Sequence, residues 1–370
     1  MNTPSSLYQY AVAGVQQLVP YVPGKPIEEL QRELGLERVV KLASNENPLG
    51  PSKKALAAMQ KAMAELALYP DGSGFNLKKA LAKKFLVDPA QITLGNGSNE
   101  ILELVARAFL APGLNAVFSQ HAFAVYPIVT QAAGAASIVA PAVHYSHDLQ
   151  AIRERVNAQT RVVFIANPNN PTGTLLSQPH LEDFVKSLPP SCVCVLDEAY
   201  YEFVHSKGEQ DAVEWLGQCP NLVVMRTFSK AYGLAGLRVG YCFSSPEMAD
   251  ILNRVRQPFN NNSMALAAAE AALDDVEHLQ HTVKNNTLGM KQLVEGFKNL
   301  GLGWITSAGN FVSVDLSEPA YPVYEALLRK GVIVRPVANY EMPNHLRISI
   351  GTPEENNLFL QALTECLNDV

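Results

Sequence analysis

The stretch Val162-Val163-Phe164-Ile165-Ala166 is apolar at every position and ends abruptly in Asn167-Pro168-Asn169-Asn170-Pro171-Thr172-Gly173. A strand with one wet face alternates polar and apolar residues. An unbroken apolar run belongs to a strand covered on both faces, as in a parallel sheet between helical layers. Parallel neighbours need crossover segments, so the chain reads as α/β. Two further stretches repeat the plan. Ser191-Cys192-Val193-Cys194-Val195-Leu196 closes in Asp197-Glu198-Ala199-Tyr200, and Asn221–Arg226 leads into Thr227-Phe228-Ser229-Lys230. Open α/β sheets carry their chemistry at the carboxyl ends of such strands.

The residues at these strand ends define that chemistry. A lysine beyond a strand end, such as Lys230, forms a Schiff base with an aldehyde cofactor when its amine is desolvated. Thr227 and Ser229 offer hydroxyl donors, and Arg238 supplies the cationic fork that a phosphate needs. A second anion wall is expected at Gly95-Asn96-Gly97-Ser98-Asn99-Glu100, between a strand over Gln91–Leu94 and a helix over Ile101–Phe109. Backbone N–H groups at a helix start attract anions. Gly97 would allow close approach there, with Ser98 and Asn99 adding donors. A carboxylate at the strand end, Asp197 or the adjacent Glu198, can meet a protonated pyridine nitrogen.

At 370 residues the chain suggests one large and one small domain. The expected division is an N-terminal arm and small-domain segment over 1–50, a large domain over 51–246, and linking helices with a small α+β domain over 247–370. Three prolines, Pro20, Pro23 and Pro26, make the arm extended. Helices are expected over 51–67, 75–85 and 265–300, the last linking the domains, and another over 321–330. Strands are expected over 309–315, 331–336 and 345–352. A net charge of −6 argues against a general nucleic-acid binder. No signal peptide and no membrane span are expected, and five cysteines without framework spacing suit a reducing cytoplasm. Cys192 and Cys194 read as core residues on one sheet face, and no metal is expected.

Asn-Pro-Thr-Gly at 170–173, Asp-Glu-Ala-Tyr at 197–200, Ser229-Lys230 and the late Arg347 occur in the order found in fold-type I aminotransferases, enzymes that use pyridoxal 5′-phosphate. Together with Leu18–Pro26 and Lys41–Gly50, the chain most resembles the histidinol-phosphate aminotransferases. The resemblance implies a large domain with a mostly parallel sheet and a smaller α+β domain. It implies that Lys230 carries the cofactor, that Asn170 and Tyr200 meet its phenolic oxygen and Asp197 its ring nitrogen. Phe123 would stack on the ring, where the family usually has tyrosine. Tyr69 would cross a homodimer interface to the partner's cofactor phosphate, so that active sites are shared. Tyr21, Arg335 and Arg347 would hold the substrate, with small amino and oxo acids as partners. An aromatic amino acid aminotransferase and a phosphoamino acid decarboxylase on the same fold remain alternatives.

Overall fold

The computed structural model describes residues 7–21, 23–205 and 211–368. A seven-stranded sheet contains β1 (Ile92–Gly95), β2 (Asn115–Ser119), β3 (Ala136–Ala140), β4 (Thr160–Ala166), β5 (Val193–Asp197), β6 (Leu222–Thr227) and β7 (Gly240–Ser244). Their spatial order is β1-β7-β6-β5-β4-β2-β3. From β6 to β3 all neighbours are parallel, while β7 runs antiparallel to both β6 and β1.

The central strands are as buried as their composition demands. Every residue of β5 and β6 is buried, and in β4 all but Arg161. Alternate side chains enter opposite cores. Val163, Ile165, Cys194 and Leu196 lie on one face, with Cys192 in the same core as Cys194. Val162, Phe164, Val195 and Met225 lie on the other. Helices 75–85, 178–187 and 263–273 cover the first face through residues such as Leu81, Phe184 and Ala268. Helices 98–109, 125–132 and 246–255 cover the second through Ile101, Val129 and Leu252. The two helices after Pro246 therefore share the large sheet's cores.

The helical stretch expected over 265–300 consists of two helices, Ser263–Leu273 and Val276–Asn299. Asp275 separates them by capping the second, its carboxylate accepting the His278 amide. A capping residue sits outside helical geometry, which breaks the run. Val276–Asn299 then reaches a third core through Leu293 and Phe297.

That core supports a four-stranded antiparallel sheet of β8 (Gly303–Ile305), β9 (Phe311–Asp315), β10 (Arg335–Pro336) and β11 (His345–Ser349), in the order β8-β9-β11-β10. The strand expected over 331–336 is divided. Val332–Ile333 pairs with Val40–Lys41, and Arg335–Pro336 pairs with β11 at the sheet edge. Pro336 lacks an amide to donate, and an edge tolerates that. Helix Pro353–Asn368 closes this core with Phe359 and Leu363. Among the described residues, no helix is long and apolar enough to cross a membrane.

Candidate active site

The register of the parallel strands sets Ala166 beside Asp197, and Asp197 beside Met225. The loops that follow β4, β5 and β6 consequently converge at one edge of the large sheet. There they face β11 and Arg335 of the small sheet across a cavity. Its lining includes Tyr21, Ser98, Asn99, Phe123, Asn170, Asp197, Tyr200, Thr227, Ser229, Lys230, Arg238, Arg335 and Arg347. Two sequence candidates do not line it. Gly97 lies behind Arg238, and Tyr69 is 82% exposed with its ring stacked 4.8 Å from Phe259.

One corner is built for an anion. Arg238 has left-handed backbone geometry, with φ 55°, and its Nη1 donates to Ser229 Oγ at 3.3 Å and the Ala235 carbonyl at 3.1 Å. Thr227 Oγ1 accepts the Ser229 amide at 3.1 Å, fixing the turn between them. Opposite, the helix Ser98–Phe109 has Gly97 at its N-cap, with φ 74° and no side-chain cap. Its first amides point into a region where a negative charge is favoured by the helix dipole. A Cβ at Gly97 would come 2.2 Å from Arg238 Nη2. Gly97→Ala is therefore expected to push Arg238 out of the corner and weaken binding of a phosphate-bearing ligand by about tenfold or more, the size of a lost hydrogen bond to a charged group. Fluorescence titration with pyridoxal 5′-phosphate checks this.

The amine of Lys230 donates to the Ser44 carbonyl at 3.0 Å. Burial lowers its pKa to about 8, helped by the Arg347 charge and then Arg238, while Glu46 and Asp197 oppose the change. An amine titrating there is a competent nucleophile and proton carrier near neutral pH. Asp197, only 5% exposed, is pushed up to about 6 by burial. A hydrogen bond from Tyr126, the Ala199 amide and the Lys230 charge hold that rise in check.

On the opposite wall, Arg347 donates through Nη1 to Asn170 Oδ1 at 2.5 Å and through Nη2 to the Ala43 carbonyl at 2.6 Å. Its Nε is buried without a hydrogen-bond partner among the described residues. Because Asn170 accepts through Oδ1, its amide NH₂ is left to donate. Tyr200 accepts from Asn45 Nδ2 at 2.9 Å, so its own proton can go elsewhere. Burial pushes the Tyr200 phenol up to about 12, which keeps it a donor. Arg335 lies 5.6 Å over the Tyr21 ring at the cavity mouth.

Asn45 and Tyr126 are site residues that the sequence reading did not select. Asn45 occupies left-handed space at φ 54°, which asparagine tolerates better than most residues. It also accepts from Ser349 Oγ at 3.1 Å, tying the segment after Lys41 to β11. The polar cluster Ser44-Asn45-Glu46-Asn47 was its available signal. Tyr126 Oη donates to Asp197 Oδ2 at 2.9 Å, a contact 71 positions apart in sequence that only tertiary structure reveals.

The family model for aminotransferase class I and II matches residues 37–363. A histidinol-phosphate aminotransferase 2 of Pseudomonas fluorescens is 61% identical over 96% of this chain and 97% of its own. A protein of the same name from Pseudomonas aeruginosa is 60% identical over 98% and 99%. The crystal structure of histidinol-phosphate aminotransferase from Sinorhizobium meliloti, in complex with pyridoxal-5′-phosphate, superposes with a TM-score of 0.90 at 29% identity, covering 97% of each chain. The large parallel-centred sheet and smaller α+β unit are thus the fold-type I arrangement, and the chain belongs to the class I and II aminotransferases and, among them, to the histidinol-phosphate aminotransferases.

Proposed function

We propose that the protein is a pyridoxal 5′-phosphate-dependent transaminase that converts L-histidinol phosphate and 2-oxoglutarate to imidazole acetol phosphate and L-glutamate, a step of histidine biosynthesis. The observation that carries this reading is one cavity holding a half-buried lysine amine, a buried carboxylate and an arginine-walled anion corner. These residues fit the cofactor. The corner between Gly97 and Arg238 suits its phosphate, and Asp197 has no ion-pair partner among the described residues other than through space to Lys230.

Lys230 would hold the cofactor through its amine. Ser98, Asn99, Thr227, Ser229 and Arg238 would hold the phosphate, Asn170 and Tyr200 the phenolic oxygen, Asp197 the ring nitrogen and Phe123 the ring face. When bound, pyridoxal phosphate supplies an electron-withdrawing ring that weakens the Cα–H bond of the amino substrate. Lys230 Nζ, once free, takes the proton from that carbon and later returns one, acting as base and then acid. Its lowered pKa leaves a useful fraction of neutral amine near pH 8. Arg347, Arg335 and Tyr21 would receive the substrate's anion. The same wall would serve both half-reactions, because a guanidinium donates to phosphate and carboxylate oxygens alike.

Tyr69 points outward, which suits a side chain that completes the partner's phosphate site in a homodimer. Mixing inactive Tyr69→Ala and Lys230→Ala variants should then restore part of the activity, since one site of each hybrid carries neither lesion. Hybrids that demonstrably form and stay inactive would mean that each site is built from a single chain. The cytoplasm is the proposed location, a reducing compartment suited to five buried free thiols. Substrate identity is tested by steady-state rates on histidinol phosphate, tyrosine, phenylalanine and threonine phosphate. The highest kcat/KM should fall to histidinol phosphate, and a preference for tyrosine or phenylalanine would assign the enzyme to aromatic amino acids.

A further inference from the structure

Asp197 sits at the end of β5 with both carboxylate oxygens engaged. Oδ1 accepts the Ala199 amide at 3.2 Å, and Oδ2 accepts the Tyr126 hydroxyl at 2.9 Å. We infer that Tyr126 is a positioning residue for the cofactor-facing acid: it orients the Asp197 carboxylate and holds it ionised, and it does so from a ring that also braces Phe123.

The ring is fixed from several sides. It stacks on Phe164 of β4 at 4.9 Å with planes 9° apart, and it meets Phe123 edge-on at 5.8 Å and 86°. Phe118 of β2 adds a tilted contact at 6.3 Å. The hydroxyl of a fully buried ring held this way cannot swing to another acceptor. Phe123 lines the cavity, so one side chain supports two of its walls. The phenol is also a constant donor. Burial raises its pKa well above the ordinary value, and the neighbouring Asp197 charge raises it further. Other ionisable groups bear on Asp197 from the elements around it: Glu198 and Tyr200 from its own strand end, and Lys230 from the loop after β6. Glu198 is occupied by Arg226, which donates to it through Nε at 2.9 Å and Nη2 at 2.7 Å. Tyr126 is therefore the direct side-chain donor to this carboxylate among the described residues.

A hydrogen bond to the charged form lowers a carboxyl pKa and opposes the rise caused by burial. Without the hydroxyl the carboxylate protonates at a higher pH, and the cationic ring nitrogen it would face loses its partner there. Tyr126→Phe removes one oxygen and keeps the ring, so the stack on Phe164 and the contact with Phe123 persist.

This inference rests on the cofactor reading above, and the test separates the two. Two probes are titrated into wild type and Tyr126→Phe: pyridoxamine 5′-phosphate and its 1-deaza analogue, whose ring has carbon in place of nitrogen. Tyr126→Phe should weaken pyridoxamine phosphate by about tenfold, as expected for one hydrogen bond to a charged group, and change the deaza analogue by less than about twofold. The pH below which pyridoxamine phosphate affinity falls should also move upward in the variant. Equal weakening of both probes would show a packing role only, and no weakening would show no role. Either result overturns the Tyr126 assignment while leaving the cofactor reading intact. Wild type that binds neither probe would overturn both.

Discussion

Lys230→Ala is expected to leave a folded protein that has lost multiple turnover, with kcat/KM reduced by at least about 10⁴-fold, the upper range for a lost acid–base group alone. Among the described residues the amine makes one direct hydrogen bond, to the Ser44 carbonyl, so its removal should leave the melting temperature close to that of wild type. The neighbouring groups are poorly suited to take over a proton-carrying role. Tyr200 is pushed up to about 12, and Asp197 is engaged at both oxygens. Pre-steady-state measurement of proton exchange at the substrate Cα separates loss of chemistry from loss of binding. A variant that still turns over at near wild-type rate would remove Lys230 from the mechanism.

Arg347→Ala should lower kcat/KM by about 10²-fold or more in both half-reactions, because two charge-assisted hydrogen bonds of about 1.5–3 kcal/mol each are lost. The effect has two sources in this structure. The substrate anion would lose its fork, and Asn170 Oδ1 would lose its donor. Arg347→Lys discriminates between them, since an ammonium keeps the charge but cannot form two parallel bonds. Arg335 stands at the mouth over Tyr21 and should matter more for a doubly charged phosphate than for a carboxylate. Arg335→Ala is thus expected to shift preference toward aromatic amino acids. Single-turnover rates for each half-reaction decide the matter, and an Arg347→Ala variant that spares either half would contradict a shared anion site.

The parts of this fold that could be read in sequence are those with a local cause. Unbroken apolar runs marked β4, β5 and β6, and their polar endings marked the site. The strand before Gly97 and the helix after it were legible for the same reason, although the helix begins at Ser98 rather than Ile101. The misses have physical reasons too. Helix Ile27–Leu34 lies within a segment dominated by prolines, which overshadowed Pro26 as a helix start. Pro353 followed by Glu354 and Glu355 was an unread start for the last helix. The expected boundary near 246 leaves out a helix whose Met248 and Leu252 return to the large sheet's core. Nothing in local periodicity reports such a return. Asn45 had a local signal in its polar cluster, but Tyr126 was illegible because its partner, Asp197, is distant in sequence.

In the proposed function, Lys230 bonds covalently to pyridoxal phosphate in the resting enzyme. Borohydride reduction of the protein loaded with pyridoxal phosphate, followed by proteolysis and mass spectrometry, tests it directly. One phosphopyridoxyl group per chain should be found, on the peptide containing Ser229-Lys230-Ala231. An unmodified Lys230 in fully loaded protein, or the label on another lysine, would contradict the account.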